Sequence, residues 1–212
     1  MILQVSQIVF GLTPGVLGAT PNRMGIWTQG CSLKKCQGCS SKNTWSPKGG
    51  KAVRVETILR LASTQSPPPS GLTISGGEPT DQAVCLAPLI EGFRHRFPGA
   101  EVVLYTGLCF SDFSKRFPLL LESIDVAITG PYLSNLEATP LAGSSNQEVK
   151  LLTPLAERLY RGWENWSRHP LQVGKTRRGE IVAVGIPHMP RMTHAAQKVG
   201  MTLTGTTGEA RS

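Results

Sequence analysis

Residues 23–39 read RMGIWTQGCSLKKCQGC, and in this stretch a short apolar run passes without a break into a loop carrying three cysteines. Arg23–Thr28 has the length and apolar content of a buried strand rather than of a helix. A strand that delivers a chemistry-bearing loop is typical of α/β domains, whose functional loops gather at the carboxyl ends of parallel strands. The chain keeps this rhythm on both sides. Residues 2–10 predict a leading strand, Pro47–Gly50 a turn, and Val55–Ser63 a helix with Val55, Ile58, Leu59 and Ala62 on one face. Three consecutive prolines make 66–71 a stiff connection. Leu72–Ser75 predicts a strand ending at Gly76–Gly77, followed by a helix to about Phe97 with Asp81 as its cap.

The alternation continues with a strand at Glu101–Tyr105, a helical stretch around 111–123 interrupted at Pro118, and a strand at Asp125–Thr129. The segment GPYLSNLEATPLAGSSNQ, residues 130–147, is a long loop. Glu148–Leu152 predicts a strand, Pro154–Trp166 a helix with proline in its first turn, and Ile181–Gly185 a final strand. Beyond it a helix near Thr193–Val199 and a strand at Met201–Thr204, or else a tail, complete the chain. The pattern predicts an α/β fold with a largely parallel sheet, arranged as an open, partial β/α barrel. Residues 1–188 are expected to form one domain, with 189–212 as a C-terminal extension or tail.

The composition of the 212 residues, 40% hydrophobic and 17% charged, suits a soluble globular protein. No apolar run approaches the roughly 20 residues that cross a bilayer, and the N-terminal segment does not read as a signal peptide. A cytoplasmic protein is the expectation. The net charge of +8 raises the question of nucleic acid. Local basic groups occur only at Lys34–Lys35, His95–Arg96 and Lys175–Arg178, and aromatics do not alternate with them as a stacking platform requires. A solvated basic surface or an acidic protein partner is the simpler reading.

Five cysteines, three of them within nine residues, argue for metal or redox chemistry rather than disulfides. Thiolates are soft ligands for zinc or iron–sulfur clusters, and Gly30 and Gly38 allow the tight turns of a loop that wraps one. Three ligands leave the fourth iron of a four-iron cluster open to a substrate. Structural zinc would need a fourth donor from Cys85, Cys109 or a histidine. Spacing alone admits both. Cys85 reads as a small buried hydrophobe in a helix, and Cys109 as a non-ligand at a strand end. His95, His169, His188 and His194 lack ligand spacing and read as surface residues.

Three further segments narrow the choice. QGCSLKKCQGC is followed by Asn43-Thr44-Trp45, the next strand ends in ISGGEP at residues 74–79, and residues 125–147 read DVAITGPYLSNLEATPLAGSSNQ. In this order, from about Arg23 to Lys150, they resemble the radical S-adenosylmethionine (SAM) activating enzymes of glycyl-radical enzymes, most closely those for anaerobic ribonucleoside-triphosphate reductase. The resemblance implies a [4Fe-4S] cluster on Cys31, Cys36 and Cys39, with SAM bound at the open iron. It sets Gly38 and Ser40 against that cofactor, and Gly76, Gly77, Glu78 and Pro79 around its methionine amino group. Thr106, with Gly107, occupies a comparable strand end and is a further candidate contact.

The same resemblance implies reductive cleavage of SAM to a 5′-deoxyadenosyl radical that takes hydrogen from a glycine of a large partner enzyme. An electron donor of the flavodoxin or ferredoxin type would be needed. The alternatives are radical chemistry on another peptide or protein, and a non-catalytic iron–sulfur or zinc module. Two departures stand out. Four residues, Ser32 to Lys35, separate the first two cysteines where three are usual; the extra one can bulge outward. Ser40-Ser41 stands where a bulky residue and an asparagine are usual, which alters the adenine contacts. Residues after Leu152 exceed a minimal activase, with Trp163 and Trp166 expected in the core or on a docking face.

Overall fold

A computed structural model describes residues 1–15, 17–36, 38–166, 172–175 and 181–185. The expected segments at Thr193–Val199 and Met201–Thr204, the 189–212 extension, and His169, His188 and His194 lie outside the described residues. In chain order the elements are β1 (Ile2–Leu12), β2 (Arg23–Thr28), β3 (Lys51–Arg54), α1 (Val55–Ser63), β4 (Gly71–Gly76), α2 (Ala83–Arg96), β5 (Glu101–Thr106), α3 (Phe110–Arg116), α4 (Pro118–Ser123), β6 (Val126–Thr129), β7 (Glu148–Leu151), α5 (Pro154–Leu159), β8 (Gln172–Lys175) and β9 (Ile181–Val184).

Seven strands form one open sheet in the order β3-β1-β2-β4-β5-β6-β7, and β8 pairs with β9 in a separate hairpin. The centre, β2-β4-β5-β6, is parallel. Both flanks are antiparallel: β1 pairs so with β2 and β3, and β7 with β6. The sheet is therefore mixed: the expected parallel strands form its centre, and antiparallel strands flank them. The leading segment doubles back on β2 through the 13–22 connection, and β3, absent from the sequence expectation, adds the outer edge. A four-residue strand with an exposed lysine and arginine at its ends carries little apolar periodicity to betray it.

Alternation along the strands sends side chains to two layers. Met24, Ile26, Leu72, Ile74, Val102 and Leu104 face the helices α1, α2, α3 and α4 on one side. Helix α1 buries Val55, Ile58, Leu59 and Ala62, the face its spacing predicts. Pro118 lacks the N–H that would continue α3, so α4 starts afresh there. On the other side Val103, Val126 and Ile128 pack against Leu141, Ala142, Ala156 and Tyr160. Helix α5 is shorter than the expected 154–166, because Gly162 takes a left-handed φ of 69° and only a 3-10 turn, Trp163–Asn165, follows. Trp163 and Trp166 pack against this second core, Trp166 stacking on Tyr160 at 5.6 Å between ring centroids. No helix among the described residues is long and apolar enough to cross a membrane.

A buried ion pair clamps the amino ends of the parallel strands. The register brings Arg23, Gly71 and Glu101 into one row across β2, β4 and β5. Gly71 has no side chain, and a Cβ there would lie 2.7 Å from Arg23 Nη1. The guanidinium passes over it to reach the Glu101 carboxylate, and both side chains are wholly buried. Glu101 Oε1 also accepts from the amides of Ala19 and Thr20, at 3.0 and 2.7 Å. The Tyr160 hydroxyl accepts from Ala19 N as well, at 3.0 Å.

Glu101→Gln removes the counter-charge from a desolvated guanidinium and should cost about 3–5 kcal/mol, read as a lowered urea midpoint; a change under about 0.5 kcal/mol would show that the arginine finds other compensation. Burial pushes the Tyr160 phenol up to about 12. The folded state thus holds a proton that the unfolded chain, with a value near 10, releases first. Stability conferred by the neutral phenol is present below about pH 10 and declines between there and about 12. Alkaline unfolding followed beside phenolate absorbance should place both changes in that window.

Candidate cofactor site at the carboxyl ends of the parallel strands

Because β2, β4, β5 and β6 run in one direction, the segments leaving their carboxyl ends meet. The cysteine loop follows β2, Gly77–Glu78 follows β4, Gly107 follows β5, and Gly130 follows β6; residues of all four line one cavity. Of the residues singled out from the sequence, Cys31, Cys36, Cys39, Ser40, Gly76, Gly77, Glu78 and Thr106 share its wall. Gly38 and Pro79 do not. Gly38, at φ 74°, is pressed against Ser134 of the 130–147 loop. Pro79 is buried and opens the 3-10 turn Pro79–Gln82.

The cysteine loop is docked by backbone contact. Gly77 N donates to Thr28 O at 2.9 Å and Glu78 N to Gly30 O at 2.8 Å, carrying the β2–β4 ladder beyond the strands. A Cβ on Gly77 would overlap the Gly30 carbonyl, and Gly76, at φ 120°, sits against the Thr28 backbone. The two glycines are thus demanded by the crossing of one chain segment over another, before any ligand is considered. Gly30 N and Cys31 N in turn donate to Thr44 O and Trp45 O, at 2.7 and 3.2 Å.

Polar side chains lock the arrangement, two of them, Gln29 and Gln82, not singled out from the sequence. Buried Gln29 donates to Asn43 O and Ser46 O, at 3.1 and 2.7 Å. Gln82 donates to the carbonyls of Gln4 and Gln29, both at 3.0 Å. Asp81 does not cap α2, which begins without a side-chain cap. Its carboxylate instead accepts from Ser32 N at 2.7 Å and Ser32 Oγ at 2.6 Å, tying the cysteine loop to the turn after β4. Isolated glutamines carry no periodicity, so nothing in the sequence marks Gln29 or Gln82, and Asp81 is marked only as a helix cap. Of the four residues between Cys31 and Cys36, Lys34 takes a left-handed φ of 43°. Leu33 folds inward against Gly107 while Lys34 and Lys35 stay exposed.

All three loop cysteines are unpaired and half-buried. Lys34 N lies 3.5 Å from Cys31 Sγ and Ser41 N lies 3.4 Å from Cys39 Sγ, so each sulfur receives a backbone N–H. Burial pushes the Cys31 and Cys36 thiols up, and for Cys36 the neighbouring Cys39, Cys31 and Glu78 add to that. A cationic metal centre is what would deprotonate such a trio. Among the described residues no three His, Cys, Asp or Glu side chains converge as a single ion demands. Cys85 Sγ donates to Ile2 O at 3.2 Å, Cys109 Sγ lies 3.2 Å from Ser111 Oγ, and His95 is exposed on α2. Structural zinc therefore lacks a fourth donor among these residues. A cluster distributes its thiolates over separate irons, so it does not require the three sulfurs to meet at one point.

Among the described residues lining the cavity Glu78 is the one carboxylate, and it is buried. Its Oε1 accepts from Thr80 N, Thr80 Oγ1 and Thr106 Oγ1, at 3.0, 2.7 and 2.8 Å. Its Oε2 accepts from Gly107 N alone, at 2.9 Å, so that oxygen keeps acceptor capacity. On the far wall Gln147 holds the 130–147 loop closed, donating to Gly130 O at 2.9 Å and accepting from Gly143 N at 2.9 Å. Trp27 and Tyr105 join the wall from β2 and β5. Strand alternation could have marked both, since each neighbours a residue that faces the helices.

Gly77→Ala forces a methyl into the Gly30 carbonyl and should cost the upper part of the about 1–3 kcal/mol typical of overpacking. The cysteine loop should also lose its docking. Proteolysis of the metal-free protein would then cut within residues 31–50 far faster than in the parent; equal cutting would mean that the loop is held elsewhere.

A family described as a 4Fe-4S single cluster domain matches residues 17–150. The anaerobic ribonucleoside-triphosphate reductase-activating protein of Enterobacteria phage T4 is 34% identical over 131 residues, spanning 60% of this chain and 82% of that protein. The protein of the same name from Haemophilus influenzae is 26% identical over 141 residues, spanning 63% of this chain and 90% of its own. The matched region begins before β2 and ends in β7, and so contains the parallel core and every segment lining the cavity except the residue after β9. The chain belongs to the 4Fe-4S single cluster domain family, alongside the anaerobic ribonucleoside-triphosphate reductase-activating proteins.

Proposed function

We propose that this protein is a radical SAM activase whose [4Fe-4S] cluster is held by Cys31, Cys36 and Cys39, and whose target is a glycyl-radical enzyme such as anaerobic ribonucleotide reductase. One observation carries the reading: three unpaired thiols on one loop share a cavity with the strand-end segment Gly76–Glu78 and with no fourth thiol. The open sheet is read as a partial β/α barrel of the radical SAM type, with its ligand end at the carboxyl ends of β2, β4, β5 and β6. Residues 1–188 would make up that domain.

The donor set fits the cofactors. Cys31, Cys36 and Cys39 would hold a four-iron cluster with coordination to spare for SAM. The free acceptor capacity of Glu78 Oε2 suits a methionine ammonium, because a buried carboxylate fixed by four donors presents its charge without reorganising. Thr106 positions that carboxylate rather than contacting the cofactor first. Gly76 and Gly77 bring backbone to the wall, Gly38 and Pro79 act one layer back by setting the turns, and Ser40 opens space beside Cys39. Cys31, Cys36 and Cys39 would hold the cluster, which when bound would supply the one electron that reductive cleavage of SAM and hydrogen abstraction from the partner's glycine require. The chain's own residues bind, orient and exclude water; no protein acid or base is needed. A cytoplasmic, reducing setting keeps such thiols free, and a flavodoxin or ferredoxin supplies the electron.

Anaerobic reconstitution tests the reading. The parent protein should take up a [4Fe-4S] cluster whose paramagnetic resonance signal changes on adding SAM, and with dithionite it should form 5′-deoxyadenosine. Cys36→Ala should lose both. Glu78→Gln should keep the cluster but bind SAM about tenfold more weakly, the loss of a charge-assisted hydrogen bond. A cluster signal indifferent to SAM would overturn the proposal.

A further inference from the structure

We propose that the outer side of the cysteine loop, with the segment that follows it to Arg54, is the docking surface for an acidic one-electron carrier protein. The inference rests on the radical-enzyme reading above, since only reductive chemistry requires such a carrier. Its ground is the distribution of charge. Residues 1–55 contain no Asp or Glu but carry Arg23, Lys34, Lys35, Lys42, Lys48, Lys51 and Arg54. Nearly all of the net charge of +8 therefore lies in the first quarter of the chain, although the cations taken by themselves look scattered. Arg23 is buried against Glu101. The other six are exposed.

The fold gathers these six at one end. Lys34 and Lys35 are in the cysteine loop itself, exposed where the loop borders the cavity that they help to line. Lys42 and Lys48 lie in the segment that Gln29 and Gly30 hold against the loop. Strand β3 carries the last two to the same end, because Lys51 pairs with Val5, which pairs with Thr28 at the carboxyl end of β2, and Arg54 pairs with Ile2, further along β1 in that direction. None of the four ion pairs among the described residues uses any of them. Asp81, in the turn after β4, is engaged by Ser32 of the loop.

Unpaired charge of one sign steers an oppositely charged partner and orients it on arrival. Here the orientation is useful. The cavity side of the loop must stay open to SAM and to the residue that gives up hydrogen. An electron can enter away from the cavity, past Ser32, Lys42 and Lys48, which are exposed and do not line it. In the transfer the carrier's reduced centre loses one electron and the oxidised cluster gains it, with no bond made or broken.

The test compares two triple variants of the reconstituted protein, each altering the net charge by the same amount. One is Lys42→Glu, Lys48→Glu, Lys51→Glu. The other is Arg60→Glu, Lys115→Glu, Arg161→Glu, at exposed positions on α1, on α3 and after α5. Reduction of the cluster by flavodoxin hydroquinone is followed by stopped flow. At low salt the first variant should be slowed at least ~10-fold and the second about twofold, with the difference vanishing near ~0.5 M salt. Cleavage of SAM driven by dithionite should be equal in all three proteins. Equal slowing of both variants, or rates indifferent to salt, would overturn the proposal. So would an unchanged flavodoxin rate combined with loss of dithionite-driven activation of the glycyl-radical enzyme, which would assign the surface to that enzyme. Absence of dithionite-driven cleavage in the parent protein would instead sink the radical-enzyme reading, and this proposal with it.

Discussion

The crossing of two backbones at Gly30 and Gly77 is the constraint on which the site depends. Two amides, of Gly77 and Glu78, donate to the carbonyls of Thr28 and Gly30, so β2 and β4 stay in register after both have ceased to be strands. Any side chain at Gly77 would separate them. The height of the cysteine loop above the sheet, and hence the distance from its sulfurs to the strand-end segment, is set by main chain rather than by adjustable rotamers. Main-chain contact is the stiffest means a fold has of fixing a loop, since it leaves no χ angle to relax.

Around that crossing the polar groups act as a frame. Glu78 joins the end of β4 to the end of β5 through Thr106 and Gly107. Asp81 and Gln82 join the turn after β4 to the cysteine loop and to β1. Gln147 closes the opposite wall on Gly130. The amino ends of the same strands are held by a different device, the ion pair of Arg23 with Glu101 across Gly71. Stability is concentrated at one edge of the sheet and chemistry at the other. Glycine is indispensable at both, once to admit a guanidinium and once to admit a carbonyl.

Much of this was legible in the sequence, and the reason differs between elements. Strand β2 and helix α1 have the bounds their patterns predict, because each buries one continuous apolar run or face. Pro118 splits the helical stretch after β5 where its missing N–H requires. Strands β3 and β8 were not legible; each is four residues long, and pairing rather than composition makes them strands. Asp81 has the residue type of a helix cap yet bonds to Ser32, a partner 49 residues away in sequence that no local rule could supply.

The sequence alone determined the chemistry on offer: three soft thiols on one loop, a Gly-Gly-Glu strand end, and the apolar rhythm of an α/β chain. Those are properties of residue type and spacing, which survive without a fold. Only the tertiary structure decided that the sheet is mixed, that one oxygen of Glu78 is saturated while the other keeps acceptor capacity, and that the six exposed cations of the first 55 residues share an end with the thiols. These are relations between residues far apart in the chain. They arise when parallel strands align their carboxyl ends, and they cannot be read before that alignment exists.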